Sequence, residues 1–374
     1  PVACRRGLPA ARGKHSMKTI IADKIASVAQ HLNLKREIRV SADIPCEEGV
    51  LIAAEVLNNK STYNQLELTS GRMAVVKRGD IVVGAIGHRK ALFGYSGHIP
   101  DKVAVGDTLQ ILNMGGVIGA CDSINASFGQ PFDVRVLGVV LGFPYLGERI
   151  GVPVRIGMEK LAVEPPLDTL GIPVVAIAGT CMNAGKTAAA SAIVSRLRHH
   201  GHTVDAFKAT GVALRRDILA MEDAGARSTL IFSDFGVTCT TGKNGPAVTR
   251  MMLNRLATQK PDCIVFELGD GILGAYGVEA ILRDAGISAS LSSLVLCAND
   301  PVAAWGGVKL LREDFGIEPH IVTGPATDND VGKDIIVQRM GVKAINAVTE
   351  SMQIGDEVRV STPVSRASAI AKPG

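Results

Sequence analysis

Aromatic residues are scarce in this chain: they make up 4% of its 374 residues, and Trp305 is the single tryptophan. A stacking platform for single-stranded nucleic acid needs several exposed rings, so composition excludes that function. Charge of one sign is missing too. The formal value is +4, yet Arg5, Arg6, Arg12 and Lys14 supply four of the 40 basic residues within the first 16 positions, and the other 36 balance the 36 acids. Outside that segment there is no electrostatic case for nucleic acid. Residues 1–16, "PVACRRGLPAARGKHS", hold no acid and no apolar core of signal-peptide length, and read as a leader or appended segment outside the fold. No apolar run approaches the roughly 20 residues of a bilayer-spanning helix, so no membrane partner is expected. The seven cysteines are odd in number, scattered and without a CxxC. That excludes a disulfide framework or a thiolate zinc site and fits reduced thiols in a cytoplasmic protein.

What is present is an ordinary globular balance, 47% hydrophobic with 41 glycines, in a length that fits two or three domains of about 100–200 residues. Two grammars divide it. Over 36–157 the signals are short, Val/Ile-rich and broken by glycine turns, as in "RMAVVKRGDIVVGAIG" and "VRVLGVVLGF". Two stretches there carry helical spacing, "MKTIIADKIASVAQHLNL" and "EEGVLIAAEVLNN". The expectation is a small α+β domain over 17–157 with a sandwich or barrel-like core. A Pro-Pro linker follows at 158–172, then an α/β domain over 173–350 and a tail over 351–374. From 173 onward strand and helix patterns alternate, which predicts a mostly parallel sheet with right-handed crossovers. "CIVFEL" and "SLVLCA" are unbroken apolar runs, as expected of strands covered on both faces.

The chemistry concentrates in "VVAIAGTCMNAGKTAAASAIV", residues 174–194. An apolar strand pattern ends in Gly179, and Gly185-Lys186-Thr187 opens an alanine-rich helix pattern. Five residues separate the two glycines, one more than in the common phosphate loop G-x-x-x-x-G-K-[ST]. Backbone N–H groups of such a loop converge on an anion, and the helix N-terminus adds partial positive charge. Gly179, Thr180, Asn183, Ala184, Gly185, Lys186, Thr187 and Ala188 are therefore the candidate phosphate-binding set. Lys186 would reach the terminal phosphates, and the Thr187 hydroxyl would serve Mg²⁺.

This long loop resembles that of dethiobiotin synthetase and its relatives. "AFKATG" resembles that family's Phe-Lys-Pro segment, which implies a substrate-holding role for Lys208, and "CIVFELGDG" resembles the strand whose glutamate helps to bind the metal, which implies that role for Glu267. A two-domain family that joins a small N-terminal domain to such a P-loop domain is similar over nearly all of 36–350. Its segments correspond here to Ala209-Thr210-Gly211, Asp234-Phe235-Gly236 and Gly269-Asp270-Gly271. Both families usually carry an acid at the third loop position, where this chain has Cys181; a thiol cannot contact a substrate as a carboxylate would.

Further candidates follow from position. Glu267 ends a buried strand, where open α/β sheets place ligands. Asp234, in "IFSDFG", could complete the metal shell, with Asp217 and Asp223 as rivals. Arg215 and Arg216 could clamp an anion. Thr210, Gly211, Gly269, Asp270 and Gly271 belong to segments where backbone approaches a ligand. In "GHRKALFGYSGHIP", His88, Arg89, Tyr95 and His98 gather on a loop-rich hairpin, which could add specificity across the domain interface. The resulting expectation is an enzyme using ATP and Mg²⁺. It would activate a carboxylate or similar oxyanion of a small molecule for attack by a nitrogen nucleophile, with Lys186, Lys208 and Glu267 as its catalytic groups. An acyl-CoA-dependent N-acyltransferase and a nucleotide-dependent switch or maturation NTPase stand as alternatives, and a homodimer is open.

Overall fold

The computed structural model describes residues 17–145, 150–163 and 165–358. The expected leader over 1–16 and the tail beyond 358 lie outside the described residues.

The N-terminal part closes on itself. Leu51–Val56 pairs with Ile81–Ile86, which pairs with Val117–Ser123, then Thr108–Ile111, then Phe132–Gly142, which returns to Leu51–Val56. Five strands therefore form a barrel, and closure leaves those strands no free edge. The register of Phe132–Gly142 shifts between Val136 and Gly138, and beyond that bulge the strand also takes up Glu37–Ser41. A bulge bends its strand, which lets one strand serve two neighbours.

Both helices expected in this part are overturned. Leu51–Val56, in "EEGVLIAAEVLNN", is a barrel strand buried at every position but Glu55. A strand covered on both faces loses its two-residue alternation, so its apolar run reads equally well as a helix. "MKTIIADKIASVAQHLNL" forms short strands at Lys18–Ile21 and Lys24–Ile25, then a 3-10 turn at Ser27–Leu32.

The second sheet is parallel throughout, in the order Thr229–Ile231, Val204–Lys208, Cys263–Glu267, Val174–Gly179, Leu291–Cys297, Ile321–Thr323, Lys343–Ala344. Helices Lys186–His199, Arg216–Asp223, Gly245–Ala257, Pro301–Phe315 and Asp330–Met340 fill crossovers between these strands. Two short helices, Val278–Arg283 and Ala285–Ser290, precede the next strand, separated at Asp284, whose carboxylate caps the second. Pro165 and Pro166 direct their carbonyls at Arg250 and Asn254 of the helix Gly245–Ala257. Helix Ser351–Glu357 lies against helix Lys186–His199, where Asp356 takes a two-pronged bond from Arg196.

Alternation along the central strands sorts their side chains. Val175, Ile177, Val204, Ala206, Cys263 and Val265 pack with Ala189, Ala190, Ile193 and Val194 of the first helix. On the opposite face Phe207 and Phe266 stack at 4.8 Å and join Val248, Met252 and the barrel in one continuous core. Fully burying such a side chain is worth roughly 1.5–3 kcal/mol. Two residues further along the first face, the same alternation delivers Lys208 and Glu267, which are register partners. Among the described residues no helix is long and apolar enough to cross a membrane.

The barrel docks on loops at the C-terminal ends of these strands. Asn113 donates to Ala213 O at 2.6 Å and accepts from Val117 N, Glu48 accepts from Thr238, and Glu67 accepts from Arg215 N. Asn113→Ala would leave two buried backbone groups unpaired, which costs roughly 1–3 kcal/mol each. The expected result is a lower urea midpoint with an unchanged slope.

Candidate functional site

Strand Val174–Gly179 ends at the loop, which turns through left-handed Asn183 (φ 62°) and Gly185 (φ 94°) into the helix starting at Lys186. Lys186 is 6% exposed. Its stem lies over Gly179, where a Cβ would come within 2.9 Å of Lys186 Cδ and Nζ, and its ammonium donates to Cys181 O at 2.8 Å. A cation is thus held over a loop whose following helix points its positive end the same way.

Beside it lies a buried polar chain. Lys208, 7% exposed, forms an ion pair with Asp217. Thr187 Oγ1 is 3.3 Å from Asp217 Oδ1 and donates to Glu267 Oε2 at 3.1 Å. Burial pulls the Lys208 ammonium down, but the charges of Asp217 and Glu267 outweigh it, so the lysine titrates above its ordinary value. Burial pushes Asp217 up, and Lys208 reverses this to leave it below its ordinary value. Glu267 is 2% exposed; burial and the Asp217 charge push it up to about 7, against the pull of Lys208 and Lys186. One carboxylate of the pair is therefore held ionised, and the other is poised near neutrality.

The segment after Glu267 is stitched to the phosphate loop. Leu268 N donates to Ile177 O and Ile272 N to Gly179 O. A Cβ on Gly269 would sit 2.3 Å from Thr210 O, and one on Gly271 would sit 2.6 Å from Thr180 O. These glycines serve close backbone-to-backbone approach within the site walls. Asp270 between them is left-handed at φ 71°, 6% exposed, and neither carboxylate oxygen has a hydrogen-bond partner among the described residues. Burial raises its carboxyl above the usual range, opposed by the closeness of the Gly271 amide, whose geometry is too poor for a hydrogen bond, and by the charges of Lys186, Arg89 and Lys208. Arg89 comes from the hairpin beside the barrel, is 4% exposed, and among the described residues donates to neutral oxygens: Leu112 O, Tyr63 OH and Tyr276 OH.

Other expected residues lie elsewhere. Asp234 does not join the oxygen cluster: its carboxylate accepts from Ile231 N and pairs with His31 of the N-terminal part. Asp217 stands where Asp234 was expected, and a buried lysine nine residues upstream in need of a counter-charge was the signal for it. Arg215 and Arg216 do not form a clamp. Arg215 turns to Glu67 and Thr69, while Arg216 is exposed and 3.9 Å from Asp217. The Thr210 hydroxyl is spent on Gly269 O, and Gly211 N donates to Thr240. Tyr276 carried no sequence signal; an aromatic after a glycine run looks like core.

The donor set suits Mg²⁺. Thr187, Asp217 and Glu267 offer only hard oxygens, and Mg²⁺ is ordinarily held by one or two carboxylates with waters and phosphate oxygens completing its shell. Among the described residues no group of three or more His, Cys, Asp or Glu is arranged as a cage. The strand order, the loop-to-helix turn and the buried Lys186 together make this domain a P-loop NTPase fold.

No protein-family model matches the chain, and no curated protein matches it. Among solved structures it is similar to signal recognition particle receptor FtsY from Elizabethkingia anophelis, at 14% identity and TM-score 0.37 over 53% of this chain and 65% of that one. A DUF1611 family protein from Anabaena variabilis is similar at 14% identity and TM-score 0.39, over 55% and 63%. The signal recognition particle 54 kDa protein from Aeropyrum pernix, in complex with GDP, is similar at 16% identity and TM-score 0.36, over 53% and 45%. The matches thus span less than two thirds of the length of these three proteins. No function passes from them to this chain.

Because folded Glu267 titrates near 7 rather than near the ordinary 4.5, the folded chain binds more protons than the unfolded one between those values. Its contribution to stability therefore falls as pH rises through that window. Glu267→Gln should gain on the wild type, by on the order of 2–3 kcal/mol, between pH 5 and pH 8 in urea unfolding. A pH-independent difference would contradict the assignment.

Proposed function

We propose that this chain is a Mg²⁺- and nucleotide-dependent enzyme. It would use the terminal phosphoryl group of ATP to activate a carboxylate or similar oxyanion of a small metabolite for attack by a nitrogen nucleophile. The observation that carries the reading is the buried chain Lys208–Asp217–Thr187–Glu267 beside Lys186. Two buried lysines, one donating to the backbone of the phosphate loop and the other paired with Asp217 beside Thr187, suit a reaction in which anionic charge is transferred.

In this reading Lys186 and the loop amides hold the β- and γ-phosphates. Thr187, Asp217 and Glu267 hold Mg²⁺, which when bound neutralises the phosphate oxygens. Lys208 neutralises the acceptor oxyanion and aligns it for in-line transfer. Phosphoryl transfer asks mainly for positioning and charge stabilisation, so no nucleophile–base triad is needed. Loops under the barrel form one wall, and Arg89 brings a side chain to it from the hairpin beside the barrel. The converging oxygen donors favour this reading over coenzyme A binding, which requires no metal. A family likeness to dethiobiotin synthetase is part of the proposal, as is ATP rather than GTP.

Thermal unfolding with ATP and GTP, each with and without Mg²⁺, tests it. A ligand of the native state at about 100 times its Kd should add roughly 2.7 kcal/mol. The expected outcome is a Mg²⁺-dependent shift with ATP that Lys186→Ala abolishes. A Mg²⁺-independent shift with acetyl-CoA alone would replace this reading with acyl transfer.

A further inference from the structure

The proposed function leaves one buried group unused. Asp270 is 6% exposed, its two carboxylate oxygens have no hydrogen-bond partner among the described residues, and it sits three residues after Glu267 on the segment sewn to the phosphate loop. A carboxylate removed from water without a partner is costly, and a strained backbone adds to that cost; such liabilities persist at sites where a ligand completes the structure. Here both occur at one residue, since Asp270 also holds φ 71°. Gly274 lets the carboxylate lie where it does: a Cβ there would come within 2.7 Å of Asp270 Oδ2.

We infer that Asp270 is the subsite for a primary amine, accepting N–H bonds from the nitrogen group of the small molecule that this site takes. The inference rests on the nucleotide-dependent reading for what happens next, but not for the binding itself. A carboxylate only accepts hydrogen bonds, and two empty oxygens call for a compact group with several donors; a primary ammonium has three. The charged groups acting on Asp270 are Lys186, Arg89 and Lys208, all cations. Their field opposes a divalent metal more strongly than a single ammonium charge. Nucleotide phosphates over Lys186 would offset that field, so the amine should bind better with nucleotide in place.

The test uses ethylammonium chloride as the probe, with sodium chloride and tetramethylammonium chloride as controls for ionic strength and for a cation lacking N–H. Thermal unfolding of the wild type and Asp270→Asn is followed with and without MgATP. Asparagine keeps the left-handed preference and removes the charge. The expected result is a saturable upward shift with ethylammonium alone among the salts, larger with MgATP, and absent in Asp270→Asn. The variant should keep its MgATP shift and be at least as stable as the wild type without ligand. Loss of the MgATP shift in Asp270→Asn would overturn the inference by making Asp270 part of the nucleotide-metal site. A lower unliganded melting temperature would make its role structural, and an ethylammonium shift that is absent or equal in both proteins would remove the subsite. If the wild type ignores MgATP, the nucleotide reading fails, and the ethylammonium series without nucleotide still decides for or against the amine subsite.

Discussion

The ammonium of Lys208, taken out of water at the end of a central strand, sets the terms for the rest of the site. An ammonium buried without a counter-charge would shed its proton or destabilise the fold by several kcal/mol. Asp217 meets that demand from the first turn of the helix Arg216–Asp223, which fixes where the chain must turn after Gly211. Two acids then lie close together in a dry site, and both cannot ionise freely. Asp217 takes the charge, and Glu267 is left near neutrality. Thr187 bridges the two carboxylates and ties them to the phosphate loop.

Close backbone contact does the remaining positioning. Gly269 and Gly271 let the segment after Glu267 lie directly on Thr210 and Thr180, so the strand end that carries Glu267 and the loop are packed backbone to backbone. The barrel adds rigidity from the other side. It grips the loops 210–240 through Asn113, Glu48 and Glu67, and through Arg89 of the adjoining hairpin it reaches Tyr276. A shared apolar core across both parts makes that grip difficult to loosen.

Much of the parallel-sheet half was legible in the sequence, because its central strands Val174–Gly179, Cys263–Glu267 and Leu291–Cys297 are buried, mostly apolar runs separated by helices. Lys208 and Glu267 could be found as strand-end charges, and period-two alternation puts them on one face. Asp217 was harder to choose over Asp234, since pairing across a turn is a tertiary fact. Asp234 imitates a metal ligand by ending a β-like run, while its carboxylate actually holds a 3-10 turn and His31. The barrel was the least legible part. A strand such as Leu51–Val56, buried on both faces, leaves no periodic trace, and closure of five strands depends on pairings distant in sequence. Asp270 was named for its glycine neighbours, and only the structure shows its oxygens empty.

The claim that everything else depends on is that Thr187, Asp217 and Glu267 together form a metal site which bound nucleotide completes. Water-proton relaxation with Mn²⁺ in place of Mg²⁺ measures this directly. The account predicts weak Mn²⁺ binding alone, strong enhancement on adding ATP, and loss of that enhancement in Thr187→Val, in which a methyl replaces the hydroxyl. Equal enhancement with and without ATP, or an unchanged enhancement in Thr187→Val, would contradict it.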